Sequence, residues 1–290
     1  MGNGDGEIRP HFFIINSIMI KRFSQFINEA LVTFGNKAYP KYGHVVILAG
    51  GAGSGKGYVI QNLLGISAKI IDVDSVKQLA LKTDKIIQKV KEITGEDISK
   101  FNFKNPEHVK RIHVALSDIL GVIPALQSTI NKAIAQGNPD RLPNLIFDVT
   151  LKDFRKFENI CKMVELMGYE KENIHLVWVI NDVDVALKQN KERDRIVPDD
   201  ILIDTHVGAA KTLKQIVSLT DDLKSYLNGD IWFVFNNREE ADSTIRKSST
   251  GGSFVDKANY IKLKKAGSST ISQIPKEFIY KIQQYTKNNF

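Results

Sequence analysis

Residues 50 to 58 read GGAGSGKGY: Gly50, Gly51, Ala52, Gly53, Ser54, Gly55, Lys56, Gly57 and Tyr58. The spacing Gly50-x-x-x-x-Gly55-Lys56 is that of a Walker A loop. Glycines let successive backbone N–H groups converge on phosphate oxygens and the lysine adds a full charge, so the chemistry offered is the binding of a nucleoside triphosphate such as ATP. Position 57 departs from the pattern. A Ser or Thr hydroxyl there usually reaches Mg²⁺, and Gly57 has none. Two readings stay open: Mg²⁺ is held by water, phosphates and carboxylates elsewhere, or the loop binds nucleotide without turning it over.

Carboxylates that could serve such an ion stand at the ends of two apolar runs. SAKIIDV (67–73) ends in Asp72-Val73-Asp74, and Leu145-Ile146-Phe147 leads into Asp148-Val149-Thr150. Ligands of open parallel sheets gather at the C-terminal edge of the strands, the rim on which a phosphate loop also sits. Asp74 could accept a proton there, or merely cap a helix starting near Ser75; Thr150 has the same bland alternative. Further on, KQNKERDR brings Arg193 and Arg195 to a point just before Val197-Pro198. By itself such a run is a solvated helix face. His206 reads as packed or solvated rather than catalytic.

The elements that must position these residues follow a strand–helix alternation. Val45–Ala49 is a buried strand ahead of the loop, and helical spacing resumes from Tyr58. Further strands are expected at 67–73, 145–150, 174–180 and 230–235, with helices at 154–167 and 275–285. The pattern predicts an α/β fold of three layers, a P-loop NTPase fold with a mostly parallel five-stranded sheet flanked by helices and right-handed crossovers. The chain divides on this reading into an N-terminal helical extension (1–42), a P-loop domain (43–240) and a basic linker and helix (241–290), with RKSSTGGS (246–253) as the linker.

Composition sets outer bounds. The chain has 290 residues, a net charge of +7 and one cysteine, Cys161, which excludes an internal disulfide framework and suits a reducing cytoplasm. HFFIINSIMI near the N-terminus is too short to span a bilayer, so no membrane role is expected. Met19 opens MIKRFSQFINEA, which resembles the start of tailed-phage proteins, including leaders that direct proteins into the phage head; an amphipathic helix explains the same residues. Lys257, Lys262, Lys264 and Lys265 around Tyr260 offer a basic tail that could hold nucleic-acid phosphates.

The ordered set GGAGSGKG, IIDVDSVK, LIFDVTLKD and ALKQNKERDRIVPDDILIDTHVGA, closed by FNN at 235–237, resembles the zeta-toxin-like family of P-loop kinases over residues 44–237. The resemblance implies ATP- and Mg²⁺-dependent transfer of a γ-phosphoryl group to a hydroxyl. It places Asp74 as general base, Asp148 at the acidic position after the third strand, Thr150 as a substrate contact and Arg193 and Arg195 in a lid. Asp72 belongs to the substrate side with less support. Gln189 stands where many relatives carry an earlier lid arginine, and Gln127 where they carry a substrate-binding glutamate, which puts the family's UDP-linked amino sugars in doubt. The expected function is thus a kinase for a small-molecule or nucleotide-type acceptor. Its alternatives are a polynucleotide or modified-base kinase, and an inactive nucleotide-binding phage protein.

Overall fold

The computed structural model describes residues 32–35, 37, 39–72, 84–102, 104–116, 128, 141–193, 196–247 and 253–290. Asp74, Arg195, Gln127 and residues 1–31, with Met19, lie outside them.

One sheet holds β1 (Val45–Ala49), β2 (Lys69–Asp72), β3 (Leu145–Val149), β4 (Ile174–Ile180), β5 (Ile231–Phe235), β6 (Ser243–Lys247) and β7 (Ser253–Lys264), in the order β2-β3-β1-β4-β5-β7-β6. The first five strands are parallel, and β7 and β6 add on antiparallel. The expected count of five strands is therefore corrected to seven. β6 and β7 pair antiparallel beyond β5, so the ends of the Ser/Gly-rich stretch 246–253 belong to strands, and its residues 248–252 lie outside the described residues.

Among the described residues the α-helices are α1 (Lys56–Asn62), α2 (Asp84–Thr94), α3 (Pro106–Val114), α4 (Phe154–Leu166), α5 (Val183–Lys191), α6 (Asp199–Ser218) and α7 (Lys276–Tyr285). Alternate residues of β1 enter two separate cores. Val45, Ile47 and Ala49 pack toward Phe157 and Val164 of α4, Leu213 and Ile216 of α6 and Ile282 of α7. Val46 and Leu48 pack toward Val59, Leu63, Val32 and Phe34 on the other face. A strand covered on both faces reads as an unbroken apolar run, which is why VVILA and IHLVWVI are so legible. Among the described residues, no helix is long and apolar enough to cross a membrane.

Candidate active site

The strand order decides what surrounds the phosphate loop. β3 lies directly beside β1, with Asp148 level with Leu48, and β2 lies beside β3, with Asp72 level with Asp148. Both carboxylates therefore reach the same rim as the loop, within one and two strand spacings of it. Residues 50–55 leave β1 and turn into α1, whose preceding residue, Gly55, has φ 87°. Gly53 is also left-handed, with φ 77°. These are the conformations that favour glycine.

Lys56 is on the first turn of α1. Its Nζ donates to Gly50 O at 2.8 Å and Gly51 O at 3.3 Å, and lies 3.6 Å from Asp148 Oδ1. The lysine thus lies across the loop beside the carboxylate of the neighbouring strand. Protein groups approach the loop so closely that side chains there would collide: a Cβ on Gly51 would meet the His206 ring, and one on Gly55 would meet Asn236 Nδ2. Gly57 is the exception, exposed and with nothing within 4 Å of an added Cβ.

The loop's carbonyls are held from behind. Asn181 Nδ2 donates to Gly53 O at 3.2 Å and Asn236 Nδ2 to Ser54 O at 2.9 Å. Thr205 Oγ1 accepts from Ala52 N at 3.0 Å, and His206 Nε2 donates to Ala52 O at 2.8 Å. Ser54 Oγ is buried at the centre of the loop with no partner among the described residues. Among the described helices, α1 alone begins with neither a side-chain cap nor an acid in its first turn; Asn105, Asp153 and Asp182 cap α3, α4 and α5. That arrangement suits an anion.

A cleft of about 980 Å³ opens from the loop. Lys56, Tyr58, Asp72, Asp148 and Thr150 line it on the sheet side, Lys110 and His113 on the α3 side, and Gln189, Arg193 and Arg238 near the C-terminal end of α5. Thr150 does not cap the next helix, because Asp153 does, accepting from Arg155 N at 2.8 Å. Directly after Thr150 the buried Leu151 takes φ 52°, a left-handed conformation uncommon for a bulky residue. Lys156 also lines the cleft. Desolvation lowers its pKa first, and the Lys56 charge lowers it further against the pull of Asp148. Two ammonium groups sharing one cleft are best relieved by an anion between them.

Asn190 and Val197, on either side of Arg193, are joined by a buried clasp. Asn190 Nδ2 donates to Val197 O at 2.6 Å, and Val197 N donates to Asn190 Oδ1 at 3.0 Å. Arg193 lies between these points and faces the cleft. Arg238, beyond β5, pairs with Glu192 of the same segment at 3.0 Å.

The structure thus assembles Gly50 to Tyr58, Asp72, Asp148, Thr150 and Arg193 at one rim. Sequence reasoning missed Lys156, Asn181, Thr205 and His206. The small residues of THVGAA were a usable signal, since a Cβ on Gly208 would sit 2.5 Å from Lys152 Cβ. The basic tail is corrected in part. Lys262 pairs with buried Asp230 at 2.9 Å, and Lys264 donates to Asn228 O and Gly229 O, so neither faces outward for a polyanion.

The loop, the parallel strands and the rim carboxylates define a P-loop α/β fold. A family model described as Type IV secretory system Conjugative DNA transfer matches residues 7–135, under half of the chain. No curated protein matches the sequence. Similar solved structures include a chain of the PezAT chromosomal toxin–antitoxin system of Streptococcus pneumoniae, 13% identical, with 80% of this chain and 79% of that chain covered and a TM-score of 0.38. A complex of AvrRxo1-ORF1 and AvrRxo1-ORF2 with sulphate ions is 11% identical, covers 97% and 75%, and gives a TM-score of 0.42. The same complex with ATP is 9% identical, covers 86% and 65%, and gives 0.44.

Proposed function

We propose that this chain is an ATP- and Mg²⁺-dependent kinase that passes the γ-phosphoryl group to a hydroxyl of a small-molecule or nucleotide-type acceptor in the cytoplasm. The observation that carries the reading is Lys56 at 3.6 Å from Asp148, at the mouth of a cleft that continues past the loop to α3. A site for nucleotide alone would not need the second half of that cleft.

The residues present suit both groups. The glycine-rich loop at the start of α1 and the buried Ser54 Oγ, without a partner among the described residues, suit phosphate oxygens. Among the described residues no three His, Cys, Asp or Glu side chains converge as a metal cage. One or two carboxylates, Asp148 and Asp72, would hold Mg²⁺ with water and phosphate oxygens, the way this ion is commonly held. ATP would supply the transferable phosphoryl group, and Mg²⁺ would offset charge on its oxygens.

In this reading Lys56 exchanges the carbonyls of Gly50 and Gly51 for phosphate oxygens. Arg193 and Arg195 neutralise the charge that shifts during transfer, a role to which the planar guanidinium is suited. Asp74 accepts the acceptor's proton as the new O–P bond forms and the bond to the departing ADP breaks. Thr150 orients the acceptor.

The match to the conjugative DNA-transfer family favours one second reading, an ATPase working on DNA, since residues 7–135 include the whole phosphate loop. Incubation with γ-labelled ATP, Mg²⁺ and either a pool of small metabolites or DNA separates them. A labelled small molecule supports the kinase. Free phosphate released in proportion to added DNA supports the other.

A further inference from the structure

The phosphate loop is tied to the lid through one helix. Asp199, the first residue of α6, follows Val197-Pro198 directly, where the Asn190 clasp closes the lid. Six and seven residues further, Thr205 and His206 hold the two ends of Ala52: the hydroxyl accepts its N–H at 3.0 Å and the ring donates to its C=O at 2.8 Å. The Thr205 hydroxyl spends its own hydrogen on Leu202 O at 2.7 Å, which leaves its oxygen to act only as acceptor toward Ala52. Burial lowers the His206 pKa to about 4, so at neutral pH the ring is uncharged and its one hydrogen is on Nε2. The ring also fills the space behind Gly51, where an added Cβ would come within 2.1 Å of it. An α-helix is stiff over two turns, so a shift of the lid end of α6 is passed to Ala52.

We propose that Thr205 and His206 are positioning residues that set the anion-binding shape of residues 50–55 and make it depend on the lid. The lid coupling rests on the kinase reading above, whereas the hold on the loop does not.

Two measurements on the full chain decide it: ATP affinity by calorimetry, and amide hydrogen exchange over residues 50–57 without nucleotide. Thr205→Val, which loses the bonds to Ala52 and Leu202, and His206→Leu, which loses the bond to Ala52, roughly keep side-chain volume and are expected to weaken ATP binding about tenfold and to speed exchange in the loop while the melting temperature stays near the parent's. Thr205→Ser keeps the oxygen and restores both readouts. Gly51→Ala abolishes binding in the parent but costs little on top of His206→Ala, because the ring it would strike is gone. Cutting the clasp with Asn190→Ala weakens ATP binding less when Thr205→Val is already present than when it is not.

Folded Thr205→Val and His206→Leu proteins with parental exchange in the loop would overturn the positioning role, whatever their affinities. Strict additivity between Asn190→Ala and Thr205→Val would overturn the lid coupling. A parent that does not bind ATP refutes the kinase reading and the lid coupling with it, and the exchange measurement still decides the hold on the loop.

Discussion

The two ends of the sheet carry similar residue types and use them in opposite ways. At the N-terminal end, His44 and His175 share a hydrogen bond of 2.9 Å, and His175 Nδ1 accepts from Asp230 N at 2.8 Å. Asp230 accepts from Gly35 N, Ala266 N and Lys262 Nζ. Desolvation alone would raise the Asp230 pKa, but the polar and charged neighbours around the carboxyl, with Lys262 Nζ and Gly35 N donating to it, outweigh it and hold the carboxyl well below its usual range. His44, His175 and Asp230 are buried, and each has a hydrogen-bond partner. At the C-terminal rim, Lys56, Asp72, Asp148 and Lys156 face a large cleft, and Ser54 Oγ has no partner among the described residues. A buried charge surrounded by partners is architecture. A set of charges around open space is a site.

Breaking the lower cluster should therefore remove stability and leave the chemistry of the folded fraction intact. Asp230→Ala strands Lys262 and the amide donors, and we expect a loss of about 3–5 kcal/mol in denaturant unfolding, the usual result of cutting one partner from a buried pair. At the rim the pattern reverses. Lys56→Ala should lower turnover by roughly 10²–10³ and weaken ATP binding with little change in melting temperature, since the side chain contributes charge rather than core packing. Equal unfolding losses for both variants would erase the contrast. Asp74→Asn should leave ATP affinity near the parent's and reduce phosphoryl transfer by roughly 10². Unchanged transfer would make Asp74 a helix cap.

Acid sharpens the same contrast with a smaller effect. Burial holds the His44 and His206 pKa values at about 4, and lowers that of His175 as well, against an ordinary value of 6.5. Folded pKa values below the unfolded ones mean that the unfolded chain takes up protons first as pH falls. The contribution is complete above pH 6.5 and shrinks as pH drops toward 4. For His206 alone the loss is about 2 kcal/mol by pH 5, read as a falling melting temperature, and His206→Gln should flatten that part of the profile.

Much of this was legible in the residues. VVILA, LIF and IHLVWVI read as strands because both faces of the central strands are covered, and the Walker spacing fixed the loop. The β6–β7 hairpin was not legible. Its strands carry Arg246, Lys257, Asn259 and Lys262, and a Ser/Gly run joins them, so composition resembles that of a solvated tail. Lys262 and Lys264 turn inward only because Asp230 and the carbonyls of Asn228 and Gly229 wait there, a long-range match that no local pattern displays. His206 was passed over for the same reason: helical spacing places it on α6, and only the tertiary fold brings Ala52 against it.

The central claim is that Asp148 does the work of the hydroxyl absent at position 57. It is tested most directly by following γ-phosphoryl release from ATP as Mg²⁺ is raised, in the parent, Asp148→Asn and Gly57→Thr. An added Cβ on Gly57 meets nothing within 4 Å, so threonine fits there. We expect Asp148→Asn to need about tenfold or more Mg²⁺ for half-maximal turnover, and Gly57→Thr to need less than the parent. Three coincident curves, or a parent that is inactive at every Mg²⁺ concentration, would contradict it.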